Sequence, residues 1–316
     1  LVRNPDCIVS TESTKEKKHK STSEKKHLFF YEFYTPKEGE SLMQGKIVLI
    51  TGSTDGIGKQ TAIDIAKLGA TVVIHGRGKV RAFASASDVC RDSGNENVEI
   101  VTGDYSSLAS VRAMAESIKQ RFGRLDVLIN NAGIFTKEKT TSKDGFETTF
   151  AVNHLAPFLL THLLVDMLKQ SGSPSAKSRI INVSSIAHQR ATMDFGNLQS
   201  ERQFDGFIAY AQTKLMGIMM TYAWAERLQS DNVTVNCLHP GVVTTKLLNA
   251  GFGTPGGEVA AGAETSVYLA SSPEVEGVTG KYFVKKQATA SSPTSNDPAL
   301  RKQLWELTEK MTGIAS

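Results

Sequence analysis

Residues 46–59 read KIVLITGSTDGIGK. The stretch runs from a short apolar segment with β-branched residues (Ile47, Val48, Ile50), through a glycine-rich turn, into a helix start. A strand that feeds a helix through glycines presents bare backbone N–H groups at the positive end of the helix dipole, where a phosphate is favoured. Gly52, Gly56 and Gly58 carry no Cβ to obstruct a tight turn or a close ligand. A nucleoside-triphosphate loop is excluded by spacing. Five positions, not four, separate Gly52 from the Gly58-Lys59 pair, and Gln60 stands where a metal-binding Ser or Thr is required. A dinucleotide fits better, with a turn that serves packing alone as the competing reading of this stretch taken by itself.

The chain around it has 316 residues, 40% of them hydrophobic, enough for one large α/β domain with appendages. Its formal net charge is +4. Most of that excess lies before residue 28, where Lys and Arg cluster. The body is therefore nearly neutral and gives no argument for nucleic-acid binding. Three scattered cysteines, Cys7, Cys90 and Cys237, form neither a disulfide framework nor a zinc cluster. A reducing, cytoplasmic setting is expected.

Residues 1–42 read as a disordered or non-native N-terminal extension, because Ser, Thr, Lys and Glu dominate as far as Lys26. The aromatic patch Leu28-Phe29-Phe30-Tyr31-Glu32-Phe33-Tyr34 is too short to span a bilayer and is broken by a carboxylate. It has no signal-peptide core. Met43, shortly before the first strand, is the expected natural start, and residues 43–316 are expected to form one domain with a C-terminal lid and tail.

From Met43 onward apolar strands alternate with helix-length segments. Strands are predicted at 47–51, 71–75, 98–102, 126–129, 179–183, 233–238 and 281–284. Helices are predicted near 57–68, 79–92, 107–121, 144–170, 209–229 and 262–271. Such alternation implies an α/β fold, a doubly wound parallel sheet of about seven strands with helices on both faces. Ligands bind such sheets at the carboxyl ends of the strands, where strand order reverses. No transmembrane run is seen.

The most informative pair is Tyr210 and Lys214, in AYAQTKLMGIMM. A spacing of four places both on one helix face. A free tyrosine, with a pKa of about 10, is a poor acid or base at neutral pH. An adjacent ammonium is expected to lower that pKa and fit Tyr210 for general acid/base work.

Taken together, Thr51-Gly52-Ser53-Thr54-Asp55-Gly56-Ile57-Gly58, Asn130-Asn131-Ala132-Gly133, Ser184-Ser185 and Tyr210-Ala211-Gln212-Thr213-Lys214 resemble the short-chain dehydrogenases/reductases. The resemblance in order and spacing covers about residues 45–285 and implies a single Rossmann-type domain. INVSSIAH, NHLAPFLLTHLL and LHPGVV look most like the retinol-dehydrogenase-like branch.

By that resemblance, Ser185 would bond and polarise the substrate oxygen, with Ser184 as the adjacent alternative. Tyr210 would exchange the proton, Lys214 would also hold the nicotinamide ribose, and Asn153 would hold a water in a proton relay beyond Lys214. The cofactor supplies hydride chemistry while the protein aligns it. The glycine-loop residues Gly52, Ser53, Thr54, Asp55, Gly56, Ile57 and Gly58 would hold the pyrophosphate. Asn131, Ala132 and Gly133 would face the adenosine ribose, and Asp104, with Tyr105 beside it, the adenine. Pro240, Gly241, Val243 and Thr245 would meet the carboxamide, with Thr244 as a neighbouring candidate. The competing reading of Asp104 is an N-terminal helix cap, since Ser106 and Ser107 follow.

The second strand ends at His75-Gly76-Arg77 without an acidic residue to bond a ribose 2′-hydroxyl, and Arg77 offers a guanidinium suited to phosphate. NADP (as NADPH) is therefore expected over NAD. Asp55 departs from the family pattern, which keeps a neutral donor there. Its carboxylate is expected to turn away from the phosphate and cap backbone.

The other histidines show no metal spacing, and no G-x-S-x-G elbow supports a serine hydrolase. His188 reads either as a pocket residue or as part of a loop. Residues 246–258, with Leu247, Leu248 and Phe252, read as a mobile lid over an apolar substrate. The helices near 150–168 and 209–228 are apolar on more than one face. Core packing accounts for much of this, and in the family such helices often pair between subunits, so a homodimer or homotetramer is expected. The sequence thus points to an NADP-dependent oxidoreductase interconverting a small apolar carbonyl and alcohol. A retinoid or steroid dehydrogenase, and a non-catalytic dinucleotide-binding regulator on the same fold, are the alternatives.

Overall fold

The structure is a computed structural model that describes residues 41–251 and 256–314. The expected extension as far as residue 40, with its aromatic patch, lies outside the described residues, as do Phe252 and Pro255 of the expected lid.

Strands β1 (Ile47–Ile50), β2 (Thr71–Gly76), β3 (Val98–Thr102), β4 (Val127–Asn130), β5 (Ser178–Val183), β6 (Val233–His239), β7 (Tyr282–Val284) and β8 (Gln287–Thr289) form one sheet. Their order is β3-β2-β1-β4-β5-β6-β7-β8, parallel throughout except for the β7–β8 hairpin. The order reverses between β1 and β4, and that is the switch point at which an open α/β sheet opens a crevice.

Helices cover both faces. On one lie α1 (Gly56–Lys67), α2 (Lys79–Ser93) and α7 (Val259–Ser271). On the other lie α3 (Leu108–Arg121), α4 (Thr148–Ser171) and α5 (Gly206–Arg227). Two short helices, α6 (Lys246–Gly251) and α8 (Pro293–Asn296), and a C-terminal α9 (Pro298–Thr312) complete the described chain. This double cover explains why β1 is a continuous apolar run instead of an alternating one. Val48 and Ile50 pack toward α1 and α7, Leu49 toward α4 and α5, and all three are fully buried. Each such side chain contributes about 1.5–3 kcal/mol by leaving water.

The strand set exceeds the expected seven by one. β8 is three exposed residues with no apolar pattern, joined to β7 by Lys285 and Lys286, both at positive φ. That is the backbone a two-residue hairpin turn demands, here without the glycine or asparagine that signals it in a sequence.

The C-terminal residues form a helix that the periodicity reading passed over. Asp297 caps it by accepting from the Ala299 and Leu300 N–H groups, Pro298 opens it, and Gly313 closes it in the left-handed conformation. It packs across α4 and α5. Trp305 lies edge-on to Trp224 (4.8 Å between centroids) and to Phe158 (4.9 Å), with the Arg227 guanidinium 3.6 Å above its ring. Much of the apolar surface that α4 and α5 would offer to a second subunit is therefore covered by their own chain. α4 is also the one helix among the described residues long and apolar enough to cross a membrane, yet 72% of its most apolar window is buried inside the fold.

Candidate active site

All the loops that carry the sequence motifs open at the carboxyl edge of the sheet into one cleft of about 780 Å³. That volume suits a dinucleotide and a small substrate together.

At the first half of the cleft, β1 turns into α1. Gly52 has a φ of +65°, and a Cβ there would lie 2.8 Å from the Ala132 Cα; a Cβ on Gly58 would lie 2.4 Å from the Asn131 amide. No other residue fits either position. Asn131 itself is a staple. Its side chain donates to the Thr51 and Gly52 carbonyls at 2.8 and 3.2 Å, and its N–H and that of Ala132 both donate to the Thr51 hydroxyl at 3.0 Å. Backbone at Ala132 and Gly133 is left to line the cleft. Ser53 faces away: its hydroxyl donates to the Ile50 carbonyl at 2.7 Å and accepts from the His75 N–H at 2.9 Å. It holds the loop's shape and does not line the cleft, while Gly52, Thr54, Asp55, Gly56, Ile57 and Gly58 do.

Asp55 caps α1 by accepting from the Gly56 N–H at 2.9 Å. Its second oxygen pairs with Lys246, at the start of α6, and Arg81 stands 3.8 Å away. The side-chain bond with Lys246 outweighs burial and draws the carboxyl below its usual range. The departure from the family pattern is thus a carboxylate neutralised by two cations at the rim.

The cleft continues past the ends of β2 and β3. Arg77 is exposed there, and Arg81, one turn into α2, lines the same wall. Asp104 accepts from the Ser106 N–H and hydroxyl and pairs with Lys143 at 2.9 Å. Burial opposes its ionisation, but these donors win and its pKa is lowered. Asp104 is not the cap of α3; Ser107 is. Tyr105 is buried, stacked on His75, and burial pushes its hydroxyl pKa up.

The second half of the cleft gathers the polar residues of β5 and α5. Ser184 and Ser185 part company at the end of β5. Ser184 is buried and donates to the Lys214 carbonyl at 2.8 Å, whereas Ser185 starts a 3₁₀ turn, accepts from the Ala187 N–H at 3.2 Å and hydrogen-bonds the Tyr210 hydroxyl. Lys214 reaches the Val183 carbonyl at 3.0 Å, and its ammonium sits 5.5 Å from the Tyr210 ring centroid. Asn153 lies in a π-helical turn of α4, a local widening of the kind often found at functional sites. Its side chain accepts from the Ile134 N–H at 2.8 Å and donates to the Ile134 carbonyl at 2.9 Å and the Thr213 hydroxyl at 3.1 Å. Asn153 and Lys214 meet across Gly133, each with a polar atom 3.5 Å from where a Cβ would stand.

The expected lowering of the Tyr210 pKa by Lys214 is not what this geometry produces. Burial comes first and pushes Tyr210 up to about 12, and the Ser185 hydrogen bond only partly opposes it. Burial also pulls Lys214 down to about 8. The ammonium lies over the ring and donates to the Val183 carbonyl.

Pro240, Gly241, Val243 and Thr245 line the cleft after β6. Thr244 does not, because its hydroxyl is spent on the carbonyl and N–H of Gly256. Thr245 accepts from the Leu248 N–H at 3.1 Å and so begins α6. His188 is fully buried and bridges the Ser185 carbonyl (2.7 Å) and the Ser292 N–H (3.1 Å), which makes it a strut behind the serine and not a pocket residue. Apolar residues that the sequence reading did not single out, Ile186, Phe207 and Val242, join Leu247 and Leu248 at the mouth. Arg81, His75 and Lys246 were missed as well. Only the spacing of four between Arg77 and Arg81 at the start of a predicted helix offered a signal.

The donor set fits a nicotinamide dinucleotide. There are loop amides on a helix N-terminus, close approaches that only glycine allows, and a serine, a tyrosine and a lysine gathered at the far end of the same cleft.

Comparison with known proteins gives the same answer. The short chain dehydrogenase family matches residues 46–253. The chain belongs to that family. It is similar to human retinol dehydrogenase 14, at 40% identity over 86% of this chain and 88% of that one. It is also similar to human polyprenol dehydrogenase, at 37% identity over 85% and 86%. Among solved structures it resembles an uncharacterised protein of Mycobacterium paratuberculosis (TM-score 0.71, 28% identity, 85% of this chain and 94% of that one). A short chain dehydrogenase of Escherichia coli CFT073 solved with NADPH shares the fold (TM-score 0.64, 24% identity, 80% and 100%). The retinol-dehydrogenase-like branch and the Rossmann-type α/β fold are both as read from the sequence. As a member of this family the chain is an NAD(P)-dependent oxidoreductase of CH–OH groups and their carbonyls, acting on a small molecule.

Proposed function

We propose that the protein is an NADP-dependent carbonyl reductase and alcohol dehydrogenase for an apolar substrate, with Tyr210 as its general acid/base. The observation that carries this reading is the convergence of Ser185, Tyr210 and Lys214 at one end of the cleft whose other end holds the glycine loop, Arg77 and Arg81. When bound, the dinucleotide supplies or accepts the hydride.

Each residue then has a defined task. The Ser185 and Tyr210 hydroxyls donate to the substrate oxygen and stabilise the charge that grows on it during reduction. Tyr210 keeps its proton at neutral pH and is ready to transfer it to that oxygen. Lys214 holds the ribose, and Asn153, fixed by Ile134 and Thr213, orders the relay that restores the proton. Arg77 and Arg81 bind the 2′-phosphate that distinguishes NADP from NAD, Arg81 while also paired with Asp55.

A second reading narrows the substrate to an extended isoprenoid alcohol or its aldehyde. It is favoured by the apolar mouth, where Ile186 and Val242 stay 42% and 53% exposed, and by the retinol and polyprenol dehydrogenases among the relatives. Oxidation of NADPH followed over aliphatic aldehydes, ketones, quinones, steroids and retinals tests both. Turnover of NADPH with none of them would refute the proposal, and turnover restricted to short aldehydes would refute the narrower reading.

A further inference from the structure

His75, at the end of β2, takes no part in the steps above, yet its side chain is one of the most constrained at the cleft. The ring is 3% exposed. Nδ1 accepts from the Gly52 N–H at 3.0 Å, and Nε2 lies 3.0 Å from the Gly103 carbonyl. An amide N–H can only donate and a carbonyl can only accept. The two partners therefore assign the tautomer: Nδ1 is bare and Nε2 carries the proton. The residue's backbone adds two bonds, His75 N–H to the Ser53 hydroxyl at 2.9 Å and Ser53 N–H to the His75 carbonyl at 3.1 Å. Tyr105 stacks on the ring at 4.9 Å. One imidazole thus ties the glycine loop after β1 to the loop after β3 that carries Asp104, and it does so from beneath the wall where Arg77 stands.

We propose that His75 is a positioning residue for the dinucleotide, a neutral, tautomer-locked clamp that sets the distance between the glycine loop and the Asp104 loop. This rests on the reading that the cleft takes NADP(H). A proton on Nδ1 would set two donors face to face at Gly52 and place a charge among buried neighbours. Tyr105 is the group in contact with the ring and is itself held neutral by burial. The nearby carboxylates are engaged elsewhere, Asp104 with Lys143 and Ser106, Asp55 with Gly56, Lys246 and Arg81. On the side of α2, Ser85 bonds the Ser53 carbonyl, and Arg77 is exposed to water. None of these supplies a counter-ion to an imidazolium. Burial accordingly pulls the His75 pKa down to about 4, so the clamp holds at neutral pH and opens in acid.

The test is NADPH affinity of the full chain at neutral pH, measured by fluorescence titration, alongside His75→Phe and His75→Asn. Phenylalanine keeps the stack and the volume but neither hydrogen bond. Asparagine replaces the Nδ1 acceptor with a carbonyl oxygen. His75→Phe is expected to weaken NADPH about tenfold at neutral pH, and His75→Asn to bind within about threefold of wild type. The ring nitrogen shifts of ¹⁵N-labelled wild-type protein give a readout that needs no variant to fold, and a neutral Nε2–H ring at neutral pH is expected. A folded His75→Phe with wild-type affinity, or an Nδ1–H ring at neutral pH, would overturn the clamp. Failure of the wild type to bind NADPH at neutral pH would instead remove the dinucleotide reading on which the clamp depends.

Discussion

The Ser184 hydroxyl donates to the carbonyl of Lys214 at 2.8 Å, which joins the end of β5 to the middle of α5 and leaves the next hydroxyl, that of Ser185, facing Tyr210. Two adjacent serines thereby divide one sequence motif, one tied to backbone and the other facing Tyr210. Ser184→Ala should cost about 1 kcal/mol of stability, the net worth of a buried hydrogen bond, and change turnover only a few-fold. Ser185→Ala should do the reverse, keeping its stability while kcat/KM falls about 10²-fold. Urea denaturation and steady-state kinetics on both variants would check this, and equal kinetic losses would contradict the division.

Arg77 and Arg81 face the same wall of the cleft, so their effects on the dinucleotide should combine. Arg77→Ala should weaken NADPH about tenfold or more while changing NADH by less than about threefold. Arg81→Ala should show the same sign with a smaller loss, because Asp55 holds part of that guanidinium. Equal losses for NADPH and NADH in both variants would show that neither arginine reads the phosphate.

Acid should destabilise the fold through its buried histidines. Burial pulls His75 and His239 down to about 4 and His154 to about 3, against 6.5 for the free side chain. Between those values the unfolded chain binds protons that the folded chain refuses. Stability is therefore complete above about pH 6.5 and falls as pH drops toward about 4. Each fully buried ring should account for about 2 kcal/mol by pH 5. Urea midpoints measured across that range give the slope, and a flat profile from pH 7 to pH 5 would show that the rings are not held neutral.

The C-terminal helix should behave as core and not as a tail. Trp305→Ala would open a cavity between Trp224 and Phe158 and should cost about 3–5 kcal/mol. The newly exposed faces of α4 and α5 should then promote self-association, visible in light scattering as a mass that rises with concentration. A loss under about 1 kcal/mol would mean that α9 is only loosely docked.

Most of the scaffold was legible because both-face burial writes long apolar strands, and amphipathic helices between them set the period. The glycine loop and the Tyr210–Lys214 spacing were legible for the same local reason: turn geometry and helix pitch are properties of neighbours in sequence. What stayed hidden depends on contacts between distant segments. Nothing near Asp55 in the chain announces Lys246, and nothing near His75 announces Gly103. The opposite shifts of Tyr210 and Lys214 follow from burial beneath β5 and α4, which a pair read from helix spacing does not reveal. α9 is a different case. Asp297-Pro298 and Gly313 are ordinary start and stop signals, and Leu300, Leu304, Trp305, Leu307 and Met311 recur between them at helical spacing, so this helix was legible although it lies beyond the strand–helix alternation that sets the sheet.

Because burial keeps Tyr210 protonated, the direction of the reaction should separate by pH. Reduction needs the proton and should hold steady from about pH 6 to pH 8, whereas oxidation must first lose it and should rise with pH over about 7 to 9. Coincident profiles for the two directions would argue against Tyr210 as the group that exchanges the proton.

The central claim is tested most directly by Tyr210→Phe, which removes one oxygen and preserves the buried ring. With an apolar carbonyl substrate turned over by the wild type, kcat should fall by about 10²–10⁴ while NADPH affinity stays within a few-fold of wild type. Turnover that survives the loss of that hydroxyl undiminished would contradict the mechanism.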